Sequence, residues 1–345
     1  MKRLLIPIML SVFILSACAP KGPVTLTVMT HDSFAASQSV VTAFENANNV
    51  KVVFLKSGDA GAALNKAILT RDAPLADVFY GVDNTFLSRA LQSGIYTPYA
   101  SPLLSHISDG FKLDSQNLAL PVDYGDVCIN YDKAYFTTKN IPVPVTLEDL
   151  LKPEYKGLLV VENPATSSPG LAFLLATIQH FGENGYLQYW SSLRLNGAVV
   201  VDGWDTAYYT NFSGSSGHGA QPLVVSYASS PAAEVVYATQ PLTDSPIGSL
   251  LAPGTCFRQI EFVGILKGTK KMALARKFVD FMLSSQFQED MPLQMYVYPV
   301  NRDARLPDVF VKYAQIPAQP AVLDPAVIAA HRDQWIQAWT QTMLH

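Results

Sequence analysis

The alternation of strand-like and helix-like segments between Val24 and Gly94 constrains the fold of this chain most strongly. Short runs rich in β-branched and aromatic residues alternate with longer runs in which apolar residues recur at helical spacing. In order, the segments are VTLTVMT, SQSVVTAFENAN, VKVVFLK, AGAALNKAILTRD, ADVFYGV and NTFLSRALQSG. A strand–helix repeat of this kind predicts a parallel sheet with helices on its faces.

Each of these three predicted strands runs directly into polar residues. They are His31, Asp32 and Ser33 after the first strand, Ser57, Gly58 and Asp59 after the second, and Gly81 to Asn84 after the third. Ligands of such sheets bind at the carboxyl ends of the strands, so we expect these polar residues to lie near a ligand. For Asp32 and Asp83 the alternative is a helix N-cap, where a carboxylate accepts backbone N–H bonds.

The segment LALPVDYGDVCINYDK, residues 118–133, interrupts this alternation. Pro121 and the Asp-Tyr-Gly tripeptide that follows it predict a turn before a new strand. A second α/β set then covers roughly residues 125–255. The segment FRQIEFVGILKG is predicted to cross back as a strand, and it precedes a long amphipathic helical region over residues 270–293 and a terminal helix. The 345 residues therefore suit two α/β units.

The first 18 residues predict export. Lys2 and Arg3 precede a short apolar run that ends in LSAC, the pattern of a lipoprotein signal in which Cys18 becomes the lipid-bearing first residue. The apolar run is too short for a transmembrane anchor. We therefore expect residues 1–17 to be removed and the mature protein to be lipid-anchored at the outer face of the cell membrane or in the periplasm.

Charge and cysteine content exclude several classes of protein. The formal net charge is −4 and no basic tract is present, which argues against nucleic acid as a partner. Apart from Cys18, the chain has Cys128 and Cys256, which form neither a disulfide framework nor a metal-type spacing. They are either two separate core residues or a single bridge, which an exported protein can form.

Eight short motifs occur in order along the chain. They are THDSFA, YGVDN, VDYGDVCINYDK, NPATSSPGLAFLLA, GWDTAY, VVSYASSP, KFVDFMLSSQFQ and YVYPVN. Together they resemble the type II periplasmic solute-binding proteins of ABC importers and, among these, the thiamine-binding proteins. The resemblance implies an α/β fold of two lobes, each a sheet flanked by helices, joined by two crossing strands. It assigns residues 18–122 and 259–345 to the first lobe and residues 123–258 to the second.

The resemblance also implies a function. A protein of this kind is not an enzyme and needs no cofactor, since its lobes close around a solute and the closed form docks on the permease subunits of the ABC importer. The implied ligand is thiamine, thiamine phosphate, thiamine diphosphate or a related pyrimidine.

The resemblance assigns the family's ligand contacts to this chain at positions where the motifs match. The positions that recognise phosphate in the family correspond to Asp59, Ala60, Ser167, Trp204 and Tyr227. A hydroxyl and free N–H groups at a helix N-terminus suit an anion, which supports Ser167. A simple helix cap is the alternative for Ser167, and packing in the core is the alternative for Trp204 and Tyr227.

Three more positions are placed to contact the organic part of the ligand. Asp32 and Asp83 lie where acidic side chains offset a thiazolium cation or bind an aminopyrimidine, and Tyr124 in the crossing segment is placed to line the same cleft.

The chain departs from the family at His31, Ala233 and Tyr296, where relatives usually have tyrosine, an aromatic residue and tryptophan. Aromatic stacking contributes roughly 0.5–1.5 kcal/mol per pair, so the loss of one ring predicts an affinity about tenfold lower or a related ligand. Tyr208 or Tyr237 could fill the gap, and Tyr237 is favoured because it follows Ala233 by one helical turn.

Two other functions are weighed against this one. Ferric-ion-binding proteins share the fold and use adjacent tyrosines, such as Tyr208 and Tyr209, but adjacent residues of a helix point about 100° apart. An exported hydrolase is disfavoured because G-x-S-x-G is absent and GSSGHG is not placed between a strand and a helix. The six histidines show no metal spacing such as H-E-x-x-H, so no metal site is expected.

Overall fold

A computed structural model describes residues 22–215 and 218–345. The signal peptide predicted for residues 1–17 and the lipidation predicted at Cys18 lie outside the described residues. Within the two described ranges, no helix combines the length and the apolar character needed to cross a bilayer.

Eleven strands in the described ranges form one mixed sheet. They are β1 (Val24–Thr30), β2 (Val50–Lys56), β3 (Val78–Asp83), β4 (Tyr96–Thr97), β5 (Leu120–Asp132), β6 (Leu159–Glu162), β7 (Val199–Val201), β8 (Leu223–Tyr227), β9 (Ile247–Leu250), β10 (Phe257–Leu266) and β11 (Tyr298–Pro299). The order along the sheet is β2-β1-β3-β10-β5-β8-β6-β7, with β4 paired to β10 and with β9 and β11 paired to β5.

Helices connect these strands. They are α1 (Gln38–Asn48), α2 (Ala60–Leu69), α3 (Leu87–Gln92), α4 (Lys133–Lys139), α5 (Ser168–Phe181), α6 (Tyr186–Leu195), α7 (Trp204–Thr206), α8 (Ser230–Val236), α9 (Met272–Leu283), α10 (Ser285–Gln288), α11 (Met291–Gln294), α12 (Asp308–Tyr313) and α13 (Pro325–Leu344). A π-helical turn, Ala207–Asn211, extends α7. Short 3-10 turns occur at Pro102–His106, Asp109–Phe111, Asp149–Leu151 and Pro153–Tyr155.

The sheet consists of two parallel sets of strands joined by two antiparallel ones. β1 pairs in parallel with β2 and β3, and β6 pairs in parallel with β7 and β8. Between these sets, β10 runs antiparallel to β3 and to β5, and β5 runs antiparallel to β8. The predicted α/β fold with two crossing strands is therefore confirmed. The lobe boundaries proposed at residues 122/123 and 258/259 fall within β5 and β10 and stay a prediction.

The turn predicted at Asp123–Gly125 does not form. β5 runs unbroken through these residues, and a shift of its register against β10 lies between Asp123 and Pro121. A proline cannot donate a ladder hydrogen bond, so it is tolerated at such an irregularity. Gly125 is explained by packing, because a Cβ there would lie 2.9 Å from Cδ1 of Tyr227.

The helical region predicted over residues 270–293 divides into α9, α10 and α11. Ser284 has extended backbone angles, φ −72° and ψ 152°, and its hydroxyl accepts a hydrogen bond from the backbone N–H of Phe287 at the start of α10. The capped break redirects the chain toward residues 294–297, which enter the cavity described below.

A disulfide joins Cys128 on β5 to Cys256 directly before β10, with Cα atoms 4.3 Å apart. Of the two alternatives for these cysteines, the structure has the bridge. It links the two crossing strands to each other and closes a segment of 128 residues, which in the chain-entropy account stabilises the folded state by about 5 kcal/mol.

Candidate ligand-binding site

A cavity of about 250 Å³ lies at the carboxyl ends of β1 and β2, facing the start of α5 and of α7. Its lining comprises residues 31–35, 56, 59–60, 168–169, 204–205, 209, 227, 259, 261 and 294–297. β1 and β2 end at this cavity, as the sequence predicts for polar residues at strand ends, whereas no residue at the end of β3 lines it.

Seven of the predicted contact residues lie together in this lining. They are His31, Asp32, Asp59, Ala60, Trp204, Tyr227 and Tyr296. Residues that are distant in sequence, from His31 to Tyr296, therefore line a single cavity.

Asp83 lies behind the cavity and does not line it. Its carboxylate is fully buried and accepts hydrogen bonds from the Thr85 hydroxyl (2.6 Å), the Thr85 backbone N–H (3.2 Å) and the Ser168 hydroxyl (2.9 Å). Burial raises its pKa to about 6. The N-cap of α3 is Phe86, so Asp83 holds the turn ahead of the helix and does not cap it, and a contact between Asp83 and the ligand stays a prediction.

Tyr124 also lies outside the lining. Its ring stacks on Phe111 at 4.9 Å and on Tyr298 at 5.3 Å, and the Arg258 guanidinium lies 5.0 Å from its centroid. These contacts place Tyr124 in an aromatic stack beside the crossing strands.

Ser167 is fully buried at the N-cap of α5, and its side chain makes no capping hydrogen bond. The next residue, Ser168, reaches the cavity lining instead. A contact between the Ser167 hydroxyl and the ligand stays a prediction.

Asp59 connects two helix starts at the cavity. One carboxylate oxygen accepts a hydrogen bond from the Ala60 backbone N–H at 2.6 Å, and the other accepts one from the Trp204 backbone N–H at 3.0 Å. Burial raises the pKa of Asp59, although these N–H groups and the neighbouring His31 oppose the rise. A single carboxylate therefore fixes Trp204 relative to α2.

Glu261 and Gln259 line the cavity, and sequence reasoning missed both. Glu261 Oε1 lies 3.4 Å from His31 Nε2, and Glu261 Oε2 accepts a hydrogen bond of 3.2 Å from the Tyr80 hydroxyl. The same hydroxyl donates to Asp123 at 2.6 Å. The available signal was the pair of polar residues within the otherwise apolar FRQIEFVGIL, because a buried polar side chain in a central strand needs partners.

Trp204 and Tyr227 both pack in the core and line the cavity. Trp204 is 7% exposed, stacks on Tyr208 at 4.8 Å, and donates from Nε1 to the Ser226 hydroxyl at 2.9 Å. The Tyr227 hydroxyl donates to Gln259 Oε1 at 2.9 Å. Each ring packs inward and still presents part of its surface to the cavity.

A second cavity of about 430 Å³ adjoins the first, and both are lined by Tyr209 and Tyr296. Ala233 and Tyr237 line this second cavity, and the Tyr237 ring meets the Tyr296 ring edge-on at 5.8 Å. Tyr237 therefore lies next to the gap left by Ala233, as the helical spacing predicts. Tyr208 lines the same cavity.

The Tyr296 loop is held in place by α8. The backbone of Tyr296 has a φ of 58°, a conformation that costs energy for a residue with a side chain. The Ser229 hydroxyl donates a hydrogen bond to the Tyr296 carbonyl, and the Tyr237 hydroxyl donates to the Leu293 carbonyl at 2.6 Å. These bonds position Tyr296 at the junction of the two cavities.

The charges of the lining favour a cation. Four carboxyl groups line the cavity, those of Asp32, Asp59, Asp205 and Glu261. Against them stand His31 and Lys56, and Lys56 donates to the Asp32 backbone carbonyl at 2.6 Å. Carboxylates beside aromatic faces are the groups that bind an organic cation.

Tyr208 and Tyr209 do not converge on a common point. Their rings are inclined at 87°, and the Tyr208 hydroxyl donates to Glu234 at 2.7 Å whereas Tyr209 lines the first cavity. Among residues 22–215 and 218–345, no group of three or more histidine, cysteine, aspartate and glutamate side chains could hold a metal ion.

Comparison with known proteins gives the family. The model of the bacterial extracellular solute-binding protein family matches residues 73–324. The thiamine-binding periplasmic protein of Salmonella typhimurium is 30% identical over 340 residues, which cover 97% of this chain and 98% of that protein. The solved structure of a periplasmic thiamin binding protein superposes with a TM-score of 0.79 at 27% identity, covering 92% of this chain and 96% of the other.

Some solved structures with lower sequence identity share the fold only. The ferric binding protein from Campylobacter jejuni superposes with a TM-score of 0.71 at 18% identity, covering 92% of this chain and 99% of that one. The matches to the family model and to the Salmonella protein extend over most of the chain. The chain therefore belongs to the family of bacterial extracellular solute-binding proteins.

Proposed function

We propose that this protein binds thiamine in the first cavity and delivers it to the permease subunits of an ABC importer. The observation that carries the proposal is the pairing of the Asp59 and Glu261 carboxylates with the Trp204 and Tyr227 rings in one small cavity. Relatives that are named thiamine-binding periplasmic proteins match nearly the whole chain, which supports the same ligand class.

The chemistry of thiamine fits this lining. Its thiazolium ring carries a fixed positive charge, and a desolvated cation over an aromatic face gains roughly 2 kcal/mol. An opposite charge within about 4–6 Å adds further stabilisation. The neutral aminopyrimidine has an aromatic face, which suits the tyrosines at the junction of the two cavities.

Within this proposal, the ligand contacts are His31, Asp32, Asp59, Ala60, Trp204, Tyr227 and Tyr296, with Glu261 added by the structure. Thiamine phosphate and thiamine diphosphate are included as ligands because the start of α5 reaches the cavity at Ser168. The Ala60 and Trp204 N–H groups already bind Asp59, so we expect the phosphate esters to bind no more tightly than thiamine.

The remaining parts of the proposal concern export and closure. Lipid attached at Cys18 would anchor the mature protein at the outer face of the cell membrane or in the periplasm. Closure of the two lobes around the ligand would create the surface that the permease recognises. The contact between the Ser33 hydroxyl and Asp205 at 2.7 Å, and that between the Gly61 N–H and the Thr166 carbonyl at 2.9 Å, join the two sides of the cleft.

A thermal-shift panel tests the ligand. The full-length protein in detergent is heated with thiamine, its mono- and diphosphate, the free aminopyrimidine and ferric citrate. A ligand at 100 times its dissociation constant should add about 2.7 kcal/mol to the free energy of unfolding. We expect thiamine to raise the melting temperature and ferric citrate to leave it unchanged. The absence of any shift with the thiamine compounds would reject the proposal, and a shift with ferric citrate alone would favour an iron-binding protein.

A further inference from the structure

Of the described residues that line the first cavity, His31 is the one histidine. Its side chain is almost entirely buried, and it packs against β3 at Gly81, where a Cβ would lie 2.4 Å from His31 Cδ2. Gly81 has a φ of +107°, so the backbone there takes a conformation that glycine adopts readily. The imidazole is thus held against the sheet at a fixed position.

Carboxyl groups face this imidazole from three neighbouring segments. Glu261 on β10 lies 3.4 Å from Nε2, Asp59 faces it from the start of α2, and Asp205 faces it from α7. The Tyr80 ring on β3 lies 5.8 Å away and is neutral. Asp123 on β5 is linked to Glu261 through the Tyr80 hydroxyl, which contacts both carboxylates. Lys56 at the end of β2 lines the same cavity.

These surroundings favour the protonated histidine. Burial acts to lower the pKa of His31, but Glu261, Asp59 and Asp205 outweigh it and raise the pKa above its ordinary value. Burial acts in turn to raise the pKa of Glu261, and His31 outweighs that effect and lowers it. When His31 is protonated, an imidazolium–carboxylate pair occupies the wall where a cationic ligand needs the carboxylate.

We propose that binding of a cationic ligand displaces the proton of His31, so that affinity rises as the pH rises. The inference rests on the proposed function only in that the ligand carries a fixed positive charge. A cation brought beside Glu261 and Asp59 repels the imidazolium, and its binding is favoured when His31 is neutral. By linkage, protons released on binding make affinity increase with pH, by at most about tenfold per pH unit for one proton.

At position 31 this chain differs from the thiamine-binding proteins that it resembles. Those proteins usually have a tyrosine here, which stays neutral at these pH values. This chain has an imidazole, whose pKa the neighbouring carboxylates raise above its ordinary value. A solute-binding protein with His31 would load ligand more tightly at neutral pH than in a mildly acidic exterior.

Isothermal titration calorimetry with thiamine tests the proposal. The full-length protein in detergent is titrated at several pH values from 6.0 to 8.5, in two buffers that differ in ionisation enthalpy. We expect the affinity to rise about tenfold over this range and the buffer comparison to show net release of up to one proton per ligand bound. The variant His31→Tyr should bind with little dependence on pH.

The matched control is His180→Gln, which removes a histidine that also pairs with a carboxylate, Glu148 at 2.8 Å, outside the cavity. This variant should keep the wild-type pH dependence. If His31→Tyr fails to fold by circular dichroism, His31→Gln takes its place.

Two outcomes would overturn the inference alone: thiamine binding that is independent of pH in the wild type, or a pH dependence that survives the loss of His31. If thiamine binds at no pH, the proposed function fails first and the inference fails with it.

Discussion

The two walls of the first cavity are built in different ways. The acidic wall consists of His31, Asp59 and Glu261: His31 directly follows β1, Glu261 lies within β10, and Asp59 caps α2 just after β2. The aromatic wall consists of Trp204, Tyr209, Tyr227 and Tyr296, most of which lie on irregular backbone: a three-residue helix, a π-helical turn and a loop residue with positive φ. Charge is thus fixed by the sheet, whereas ring positions depend on a few side-chain hydrogen bonds.

This difference predicts how each wall responds to change. The acidic wall is held by regular backbone, so substitutions there should alter affinity and its pH dependence with little change in shape. The aromatic wall supplies the contact area, so substitutions there should produce the larger losses.

Trp204→Ala should have the largest effect on binding. The change removes a ring from the aromatic wall and the Nε1 hydrogen bond to Ser226. We expect a loss of about 100-fold in thiamine affinity, which corresponds to about 3 kcal/mol, measured by calorimetry. The control Trp335→Ala removes a tryptophan that is buried in α13 outside the cavity lining, and it should lower the melting temperature without changing affinity. Equal losses in both variants would argue that Trp204 acts through stability alone.

Glu261→Gln tests the acidic wall. The substitution keeps the shape of the side chain and removes the charge opposite the ligand cation, so we expect affinity to fall roughly tenfold, with a weaker dependence on pH. Calorimetry of this variant is compared with Glu154→Gln, which changes an exposed glutamate outside the cavity lining. An unchanged affinity in Glu261→Gln would remove this carboxylate from the site.

Ala233→Tyr should strengthen the aromatic wall. The second cavity, of about 430 Å³, lies beside this residue and is lined by Tyr237 and Tyr296. A new ring that stacks on the ligand should improve affinity severalfold, up to about tenfold, at 0.5–1.5 kcal/mol for an aromatic pair. Ala233→Leu fills similar space without a ring, so competition binding assays should show a smaller gain. A larger gain from leucine would point to cavity filling instead.

The stability of the unliganded protein should respond to pH through His31. The pKa of His31 is raised in the folded protein. Protonation of His31 therefore adds fully to the free energy of unfolding below its unfolded pKa of about 6.5, and this contribution is lost as the pH rises through its folded pKa. Melting temperatures of the wild type should therefore fall between pH 6.5 and 8.5 more than those of His31→Gln. Burial raises the pKa of Asp83 to about 6, so its effect lies mainly below this window. Parallel curves for the two proteins would contradict the charge state assigned to His31.

Tyr124→Leu should have the smallest effect on binding. The ring stacks on Phe111 and Tyr298 and does not line the cavity, so we expect thiamine affinity within about twofold of the wild type. The melting temperature should fall, because two aromatic contacts are lost. A tenfold loss of affinity would restore Tyr124 to the ligand contacts predicted from the resemblance.

The first half of the fold could be predicted because local pattern and tertiary structure agree there. β1 to β3 and the helices between them follow the periodicity of the sequence. Polar residues after β1 and β2 reach the cavity because parallel strands end on one side, whereas Asp83 at the end of β3 lies behind it. The predicted turn at Asp123–Gly125 was wrong because Gly125 makes room for the Tyr227 ring, a contact that residues distant in sequence create.

The acidic wall was only partly predictable. His31 and Asp59 follow strands and were predicted from the sequence, as was the neighbouring Asp32. Glu261 lies inside a central strand, and its place at the cavity can be recognised only once β10 is paired with β3. The same limit explains Ser168, which reaches the cavity although Ser167 was favoured, since one residue decides which hydroxyl of a helix start faces inward.

A crystal structure of the protein with thiamine would show whether the two walls hold the ligand. We expect the thiazolium ring in the first cavity, within about 4–6 Å of the Glu261 or Asp59 carboxylate and against the Trp204 and Tyr227 rings. The aminopyrimidine should then lie toward Tyr209 and Tyr296. A thiazolium that contacts neither carboxylate, or a ligand bound outside this cavity, would contradict this expectation.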